Sequence, residues 1–178
     1  MPNNAMIETP RLLLRLWRDT DHEPFAAMNA DPEVMHDLGG PISQAESDEK
    51  LDRYATAFER DGLSRWVIEE CGTAEFLGYA GLLYRGSHPL GAHFDLAWRL
   101  RRTAWGHGYA TEAAFAALKD AFVRVGLVEA FAYTSAENLR SQAVMARLGL
   151  HREPSRDFVV THEGRGDWSS LVWVARSA

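Results

Sequence analysis

The most constraining feature of this 178-residue chain is a glycine-bearing turn between a strand pattern and a helix pattern. The strand pattern covers 94–100, and apolar residues three or four apart then run over 110–125, the spacing of a buried helix face. Gly106 and Gly108 lie between the two patterns. Glycine lets the backbone approach a ligand closely, and the first-turn N–H groups of a helix have no intrahelical partner. The turn is therefore a candidate phosphate-binding site.

Two common nucleotide-binding motifs do not match this turn. A P-loop needs a Gly-Lys-Ser/Thr sequence, and the residues around Gly106 include no lysine. A dinucleotide-binding fingerprint needs a third glycine at the position occupied by Thr111. The turn taken alone leaves two alternatives open, a different phosphate-binding loop or a purely structural connection.

Composition and charge predict a single globular domain over 1–178, with residues 1–6 frayed. The chain is 46% hydrophobic and 25% charged, which is ordinary for a globular domain. Its net charge of −6 argues against nucleic-acid binding, because phosphate neutralisation requires clustered cations. No apolar run is long enough for a membrane span, and the single cysteine, Cys71, cannot form an intramolecular disulfide. We therefore expect a cytoplasmic protein that binds neither nucleic acid nor membrane.

The remaining patterns predict a mixed α/β fold, with a sheet covered by helices on both faces. The predicted helices other than the central one cover 19–29, 44–60 and 138–148. Ser43 and Glu46 have the spacing of a capping box before the second of these helices. The predicted strands cover 11–17, 64–71, 76–84, 92–100, 128–134, 152–161 and 168–175.

The segment 105–113, Trp-Gly-His-Gly-Tyr-Ala-Thr-Glu-Ala, resembles the acetyl-CoA pyrophosphate loop of the GNAT N-acetyltransferase superfamily. It is most similar to the RimJ/RimL-type branch, which acetylates the N-termini of ribosomal proteins. The family pattern Gln/Arg-x-x-Gly-x-Gly/Ala is matched here by Trp105, Gly108 and Ala110, and the tryptophan removes one polar contact. The segments 9–15 and 138–150 resemble two further motifs of the branch. The resemblance implies a GNAT-like, mostly antiparallel sheet of about seven strands.

The seven histidines show no His-Glu-x-x-His or comparable cluster, so we expect no metal site. The resemblance also implies a set of cofactor-binding residues. In the family the fourth and fifth strands separate, and the pantetheine arm of acetyl-CoA lies in the gap like an added strand. Backbone groups of Trp98 and Leu100 would bind that arm, although both residues could equally be ordinary core residues of the strand. The implied cofactor-binding residues are Trp98, Leu100, Trp105, Gly106, His107, Gly108, Tyr109, Ala110, Thr111 and Asn138.

Two residues are candidates for proton transfer. Asp95 lies where many relatives carry a glutamate, so it could accept a proton through water, or it could instead pair with Arg99 or Arg101. The family's usual tyrosine acid, seven residues after the helix-starting asparagine, is replaced by Met145. Ser141 is then the candidate acid, unless its hydroxyl only bonds to helix backbone. A thiolate can also depart without an acid near neutral pH, since an alkyl thiol has a pKa of about 8.5.

We predict an acetyl-CoA-dependent N-acetyltransferase acting on the α-amine of a protein or peptide N-terminus. An α-amine has a pKa of about 7.7–8.0 against about 10.4 for lysine, so a weak base suffices for it. One alternative acceptor is a small amine such as an amino acid, polyamine or aminoglycoside. A non-catalytic acyl-CoA-binding module is the third hypothesis. The loops 39–43 and 85–91 would select the acceptor, and the protein would be a monomer or homodimer.

Overall fold

A computed structural model describes residues 6–162 and 166–177. Over these ranges the chain forms nine strands and five α-helices. The strands are β1 Met6–Glu8, β2 Leu12–Arg15, β3 Arg65–Glu70, β4 Phe76–Arg85, β5 His93–Leu100, β6 Glu129–Thr134, β7 His151–Arg152, β8 Phe158–His162 and β9 Gly166–Arg176. The helices are α1 His22–Ala30, α2 Pro32–Met35, α3 Gln44–Asp61, α4 Tyr109–Asp120 and α5 Leu139–Arg147.

Local signals in the sequence fix the ends of the helices. The Ser43 side chain accepts a hydrogen bond from the Glu46 backbone and the Glu46 carboxylate accepts one in return, which confirms the predicted capping box. Gly62 ends α3 in the left-handed conformation at φ 69°. The central helix α4 continues into a π-helical turn over 121–125, which Gly126 ends.

The strands form one mostly antiparallel sheet in the order β1-β2-β3-β4-β5-β6-β9-β7, with β8 paired to β9. The predicted mixed fold is confirmed, but the sheet has nine strands instead of about seven. One additional strand, β1, contains Met6, so the predicted fraying does not hold for this residue. Residues 1–5 lie outside the described ranges.

The second additional strand comes from a break in the predicted strand 152–161. Pro154 begins a 3₁₀ turn within this segment, because proline has a fixed φ and no N–H for a strand ladder. The segment is therefore divided into β7 and β8. The Gly-Arg-Gly sequence at 164–166 suggests a turn between the last two predicted strands; Gly166 begins β9, and the other two residues lie outside the described ranges.

Helices cover both faces of the sheet, as predicted. One apolar cluster joins α4 and α5 to one face and includes Ala117 and Met145. A second cluster joins α1, α2 and α3 to the other face and includes Phe25, Tyr54 and Tyr79. The polar side chains discussed below as an acceptor region lie on this second face.

Strands β5 and β6 run parallel and are connected at only one residue pair, Asp95 with Phe131. By contrast, β5 and β4 pair along the whole of β5, from His93 to Leu100. The part of β5 that follows Asp95 therefore has a paired edge toward β4 and an open edge toward β6. This is the separation of two neighbouring strands that the resemblance implies.

Candidate active site

The turn between β5 and α4 presents backbone donors. Gly108 is the N-cap of α4 at φ 78°, a conformation that glycine adopts without strain. No described side chain caps this helix, so the N–H groups of Tyr109 and Ala110 are available to an anion. Gly106 has φ 80°, and a Cβ added there would meet nothing within 4 Å. The helix dipole favours negative charge at this position.

Arg11 connects the start of β2 to this loop. Its Nη1 donates a 2.8 Å hydrogen bond to the carbonyl of His107, and its Nε donates a 2.7 Å bond to Glu112. The hydroxyl of Thr9 donates a 2.7 Å hydrogen bond to the same carboxylate. These contacts hold the loop against the start of β2. They give a structural reason for the branch-like motif in segment 9–15. The role of Arg11 was not predicted.

The indole of Trp105 closes the loop on the strand. Its Nε1 donates a 2.9 Å hydrogen bond to the carbonyl of Leu100. The guanidinium of Arg140, at the start of α5, lies 3.8 Å from the centre of the indole ring, a cation–π contact. Trp105 thus lacks the polar group that Gln or Arg supplies at this position of the family pattern. Its indole instead holds the positive charge of Arg140 next to the loop.

The other predicted loop side chains contact protein groups. The Tyr109 hydroxyl donates a 2.8 Å hydrogen bond to Glu70, which raises the pKa of the phenol above its ordinary value. The ring of His107 stacks on Tyr109 with centroids 5.3 Å apart. At these two positions the backbone is more available to a cofactor than the side chain. Thr111 and Ala110 are half-buried in the first turn of α4.

The open edge of β5 lies directly before this loop. The N–H of Arg101 donates a 2.9 Å hydrogen bond to the carbonyl of Leu77 on β4. Because the C=O and N–H of one trans peptide point in opposite directions, the carbonyl of Leu100 points away from β4, toward the gap. Hydrogen-bonding direction alternates along a strand, so Trp98 presents its backbone to the same side. The Leu100 carbonyl already accepts the Trp105 indole hydrogen bond, so the groups that face the gap without this bond are the backbone of Trp98 and the N–H of Leu100.

The N-terminus of α5 contains the predicted asparagine and serine. The Oδ1 of Asn138 accepts a 3.1 Å hydrogen bond from the Ser141 N–H, so Asn138 caps the helix as expected. The Ser141 hydroxyl makes no hydrogen bond to any residue of the described ranges, so it does not have the backbone-bonding role considered as its alternative. Met145, one turn later, is 2% exposed and belongs to the core.

Asp95 does not have the surroundings of a general base. Its side chain is buried, and its Oδ1 accepts a hydrogen bond from Arg65. Its Oδ2 accepts bonds from Arg85 at 2.9 Å and from the hydroxyl of Tyr133 at 3.0 Å. Burial alone would raise the pKa of Asp95, but the two guanidinium groups and these hydrogen bonds outweigh it and hold the pKa below its usual range.

The structure therefore corrects the expected partners of Asp95, and its contacts argue against the general-base role. The carboxylate pairs with Arg65 and Arg85 instead of Arg99 or Arg101. A carboxylate with both oxygens engaged and a lowered pKa is a weak proton acceptor near neutrality. The position of Asp95 at the closed end of the strand gap gives it a positioning role.

A second polar network on this face was missed entirely. Asn29, the last but one residue of α1, is fully buried. Its Oδ1 accepts a 2.6 Å hydrogen bond from Arg99 of β5, and its Nδ2 donates a 2.9 Å bond to Ser47 of α3. Its carbonyl accepts a 3.1 Å bond from the N–H of Ile42, within the predicted acceptor loop 39–43. The apolar helix pattern around Asn29 gave no signal of this role.

Two histidines, His88 of the β4–β5 connection and His93 at the start of β5, lie close together. The rings of His88 and His93 lie 4.8 Å apart, and His88 stacks on Tyr133 at 5.1 Å. The Nδ1 of His93 lies 2.8 Å from the carbonyl of Gly91. Within 6–162 and 166–177, no three His, Cys, Asp or Glu side chains are placed to hold a metal ion. The absence of a metal remains a prediction.

The arrangement as a whole fits acetyl-CoA. The uncapped start of α4 suits a pyrophosphate, and the open edge of β5 at Trp98 and Leu100 suits an amide-containing arm. The two features are adjacent, so a single extended ligand can contact both. Arg140 adjoins this path through its contact with Trp105, and Ser141 follows Arg140 in the first turn of α5. Among the described helices, none is long and apolar enough to cross a membrane.

Comparisons with known proteins identify the class. The model of the acetyltransferase (GNAT) domain family matches residues 11–151, which include the loop, the open strand edge and the start of α5. The chain therefore belongs to the GNAT acetyltransferase family, and it is an N-acetyltransferase.

Individual relatives agree with this assignment. YkkB of Bacillus subtilis is 28% identical over 152 residues, covering 85% of this chain and 88% of YkkB. The crystal structure of an acetyltransferase from Agrobacterium tumefaciens is similar with a TM-score of 0.81 and 26% identity, covering 97% of this chain and 94% of that one. The ribosomal-protein alpha-N-acetyltransferase RimL in complex with coenzyme A has a TM-score of 0.75. RimL is 15% identical, with 96% of this chain and 97% of RimL covered, so this likeness shows the fold alone.

Proposed function

We propose that this protein transfers the acetyl group of acetyl-CoA to the α-amine of a protein or peptide N-terminus by direct attack of the amine. The observation that carries the acetyl-CoA part is the uncapped N-terminus of α4 next to the open edge of β5. A protein with this arrangement can bind the two polar parts of acetyl-CoA through its backbone. The cytoplasmic location, the monomeric or homodimeric state and the lack of nucleic-acid and membrane partners remain part of this proposal.

In this proposal, separate groups of the chain bind the pyrophosphate, bind the pantetheine arm and donate a proton along the gap. The N–H groups at Tyr109 and Ala110 bind the pyrophosphate, and backbone groups of Trp98 and Leu100 bind the pantetheine amides. When bound, acetyl-CoA supplies an activated thioester carbonyl. The hydroxyl of Ser141 is free to donate a proton to the departing thiolate. Orientation of the two reactants contributes much of the rate, as in other enzymes that join two bound substrates.

The state of Asp95 favours an α-amine acceptor over lysine. With Asp95 held as a carboxylate by Arg65 and Arg85, the site has little capacity to deprotonate an ammonium group. Near pH 7.5 about a third of α-amines are already neutral, against about a thousandth of lysine side chains. An acceptor that arrives neutral removes the need for a strong base. The fold similarity to RimL agrees with this choice but does not determine the acceptor.

Two measurements test the proposed function. Saturating acetyl-CoA should raise the melting temperature, since a hundredfold excess over the dissociation constant stabilises a protein by about 2.7 kcal/mol. Thiol release from acetyl-CoA should then depend on an added peptide with a free N-terminus. The same peptide blocked at its N-terminus but carrying a lysine should be inactive. Faster release with the blocked peptide would contradict the α-amine assignment, and no thermal shift would contradict the acetyl-CoA site.

A further inference from the structure

We propose that the acceptor carries a negative charge close to its reacting amine, and that Lys50, Arg53 and Arg99 bind this charge. This inference rests on the proposed function and specifies its acceptor. The shared chemistry is a carboxylate near an amine, which is present in a free amino acid and in a peptide with an acidic first residue. The following contacts carry the proposal.

Arg99 stands beside the proposed pantetheine-binding edge. It lies on β5 between Trp98 and Leu100, and side chains alternate along a strand, so its guanidinium is directed to the opposite face of the sheet. On that face it lies 5.5 Å from the centre of the Tyr79 ring, within the cluster that contacts α1 and α3. An acceptor approaching the gap from this face would meet Arg99 next to the thioester.

The guanidinium of Arg99 has no carboxylate partner among the described residues. Its Nη1 donates to the neutral amide oxygen of Asn29 at 2.6 Å, and its Nε is buried without a hydrogen-bond partner in the described part of the chain. An arginine that is partly buried and paired only with an amide retains its full positive charge. Leaving such a charge unpaired is unfavourable, so an anionic ligand would be stabilising there.

Helix α3 adds two more cations on the same side. The guanidinium of Arg53 lies 5.7 Å from the centre of the Tyr54 ring, and that ring lies 5.5 Å from the Tyr79 ring that Arg99 contacts. Lys50 is one helical turn before Tyr54, and within the described ranges it forms no ion pair. Burial lowers the pKa of Lys50, and the nearby charges of Arg99 and Arg53 lower it further.

The positive charge of this cluster is not neutralised by the buried carboxylate on the same face. Asp95 lies four residues before Arg99 on β5, but both of its oxygens are occupied by Arg65, Arg85 and Tyr133. The net charge of the whole chain is −6, so a local excess of cations is opposite to its overall composition. A cationic cluster beside the acetyl end would favour an acidic acceptor and disfavour a polyamine or aminoglycoside.

The test compares acceptors that differ only in charge. We would measure thiol release at saturating acetyl-CoA with glutamate against glutamine amide, and with the peptide Glu-Ala-Ala-amide against Gln-Ala-Ala-amide. The anionic member of at least one pair should have the higher kcat/KM, by about tenfold or more, as for a charge-assisted hydrogen bond. A preference confined to the free amino acid would identify an α-carboxylate, and one confined to the peptide would identify an acidic side chain.

Variants assign the preference to the cluster. Arg99→Gln and Lys50→Gln should each reduce the preference for the anionic acceptor, measured as the ratio of kcat/KM for the anionic and neutral members of a pair, mainly through KM of the anionic member. Arg60→Gln is the matched control, because Arg60 is an exposed cation on α3 that pairs with its neighbour Asp61. Equal or greater activity on the neutral acceptors with the unmodified protein would overturn the inference and leave the proposed function intact.

A binding measurement covers the case in which none of the four acceptors is acetylated. Calorimetry of the protein saturated with CoA would then compare N-acetylglutamate with N-acetylglutamine amide. Tighter binding of the anion, lost in Arg99→Gln, would support the charge inference although acetyl transfer had failed. Equal or absent binding of the two compounds would overturn the inference.

Discussion

The Nε atom of Arg85 donates a 2.9 Å hydrogen bond to Oδ2 of Asp95, joining β4 to β5 where the strand gap closes. Asp95 is also the one β5 residue that pairs with β6, through Phe131. The same carboxylate accepts a hydrogen bond from Tyr133, two residues further along β6. Asp95 thus connects three strands at the end of the gap and stabilises the separation that an acetyl-CoA arm would need.

Asp95→Asn should therefore reduce stability. Removing one charge of a buried pair leaves the guanidinium groups of Arg65 and Arg85 uncompensated, which typically costs about 3–5 kcal/mol. Urea unfolding at pH 7 would measure this loss. Glu75→Gln is the control, because it removes the carboxylate of a largely exposed pair with Arg101 and should cost no more than about 1 kcal/mol.

The contribution of Asp95 should also depend on pH in a defined direction. Its pKa is lower in the folded than in the unfolded protein, so its stabilisation is present at neutral pH. It is lost as the pH falls below the unfolded value toward the folded pKa. Unchanged stability of Asp95→Asn, together with a rate loss that disappears at high pH, would instead restore the general-base role.

Gly108→Val should weaken acetyl-CoA binding sharply while the protein remains folded. The residue has φ 78°, which β-branched residues rarely adopt, and it lies at the uncapped start of α4. Gly126→Val imposes the same backbone strain at φ 76°, but at the far end of the α4 segment, so it should lower stability and leave affinity unchanged. Calorimetry with acetyl-CoA would compare the two variants. Equal affinities would exclude the loop from the cofactor site.

Ser141→Ala separates acid catalysis from a structural role at α5. The Ser141 hydroxyl has no hydrogen-bond partner in the described chain, so its loss should change stability little. If it protonates the thiolate, turnover should fall with acetyl-CoA affinity nearly unchanged, because the interaction belongs to the transition state. Met145→Tyr tests whether the family's usual acid can replace it. Unaltered turnover in Ser141→Ala would show that the thiolate departs without this acid.

The pKa of Tyr54 offers an independent test of the cationic cluster. Burial opposes ionisation of this phenol, but the charges of Arg65, Arg99 and Lys50 and its hydrogen bond with Tyr79 outweigh burial and lower its pKa below the ordinary tyrosine value. Absorbance at the tyrosinate band should show one group titrating below that value, absent in Tyr54→Phe. Lys50→Gln should move the titration upward. No titration below about pH 9.5, close to the ordinary tyrosine value, would contradict the clustering of these charges.

The lowered pKa of Tyr54 also predicts how its contribution to stability changes with pH. The folded pKa of Tyr54 lies below its unfolded value of about 10, so ionisation favours the folded state. The contribution of Tyr54 is therefore fully present above the unfolded pKa and is lost as the pH falls through the lower folded pKa. The free energies of unfolding of the unmodified protein and of Tyr54→Phe, compared at pH 7 and pH 10, would measure this contribution. A difference between the two proteins that is the same at both pH values would contradict it.

The sequence alone determined the features that depend on neighbouring residues. The order of strand, glycine turn and helix at 94–122, the capping box at Ser43 and the cap at Asn138 all follow from conformational preferences and contacts within three or four positions. Pro154 divided a predicted strand for an equally local reason, which the sequence contained but the prediction overlooked. The loop motif also led to the correct family, because several of its residues are required together.

Only the tertiary structure decided which charged groups meet. Asp95 pairs with Arg65, 30 residues away, although arginines much nearer in the sequence were expected. Arg99 meets Asn29 across 70 residues, and Arg11 meets His107 across 96. Such pairs depend on strand register and on how α1 and α3 pack on the sheet, and a change of one residue in register directs a side chain to the opposite face. For this reason the sequence predicted the cofactor loop, whereas the charge of the acceptor region emerged only from the folded chain.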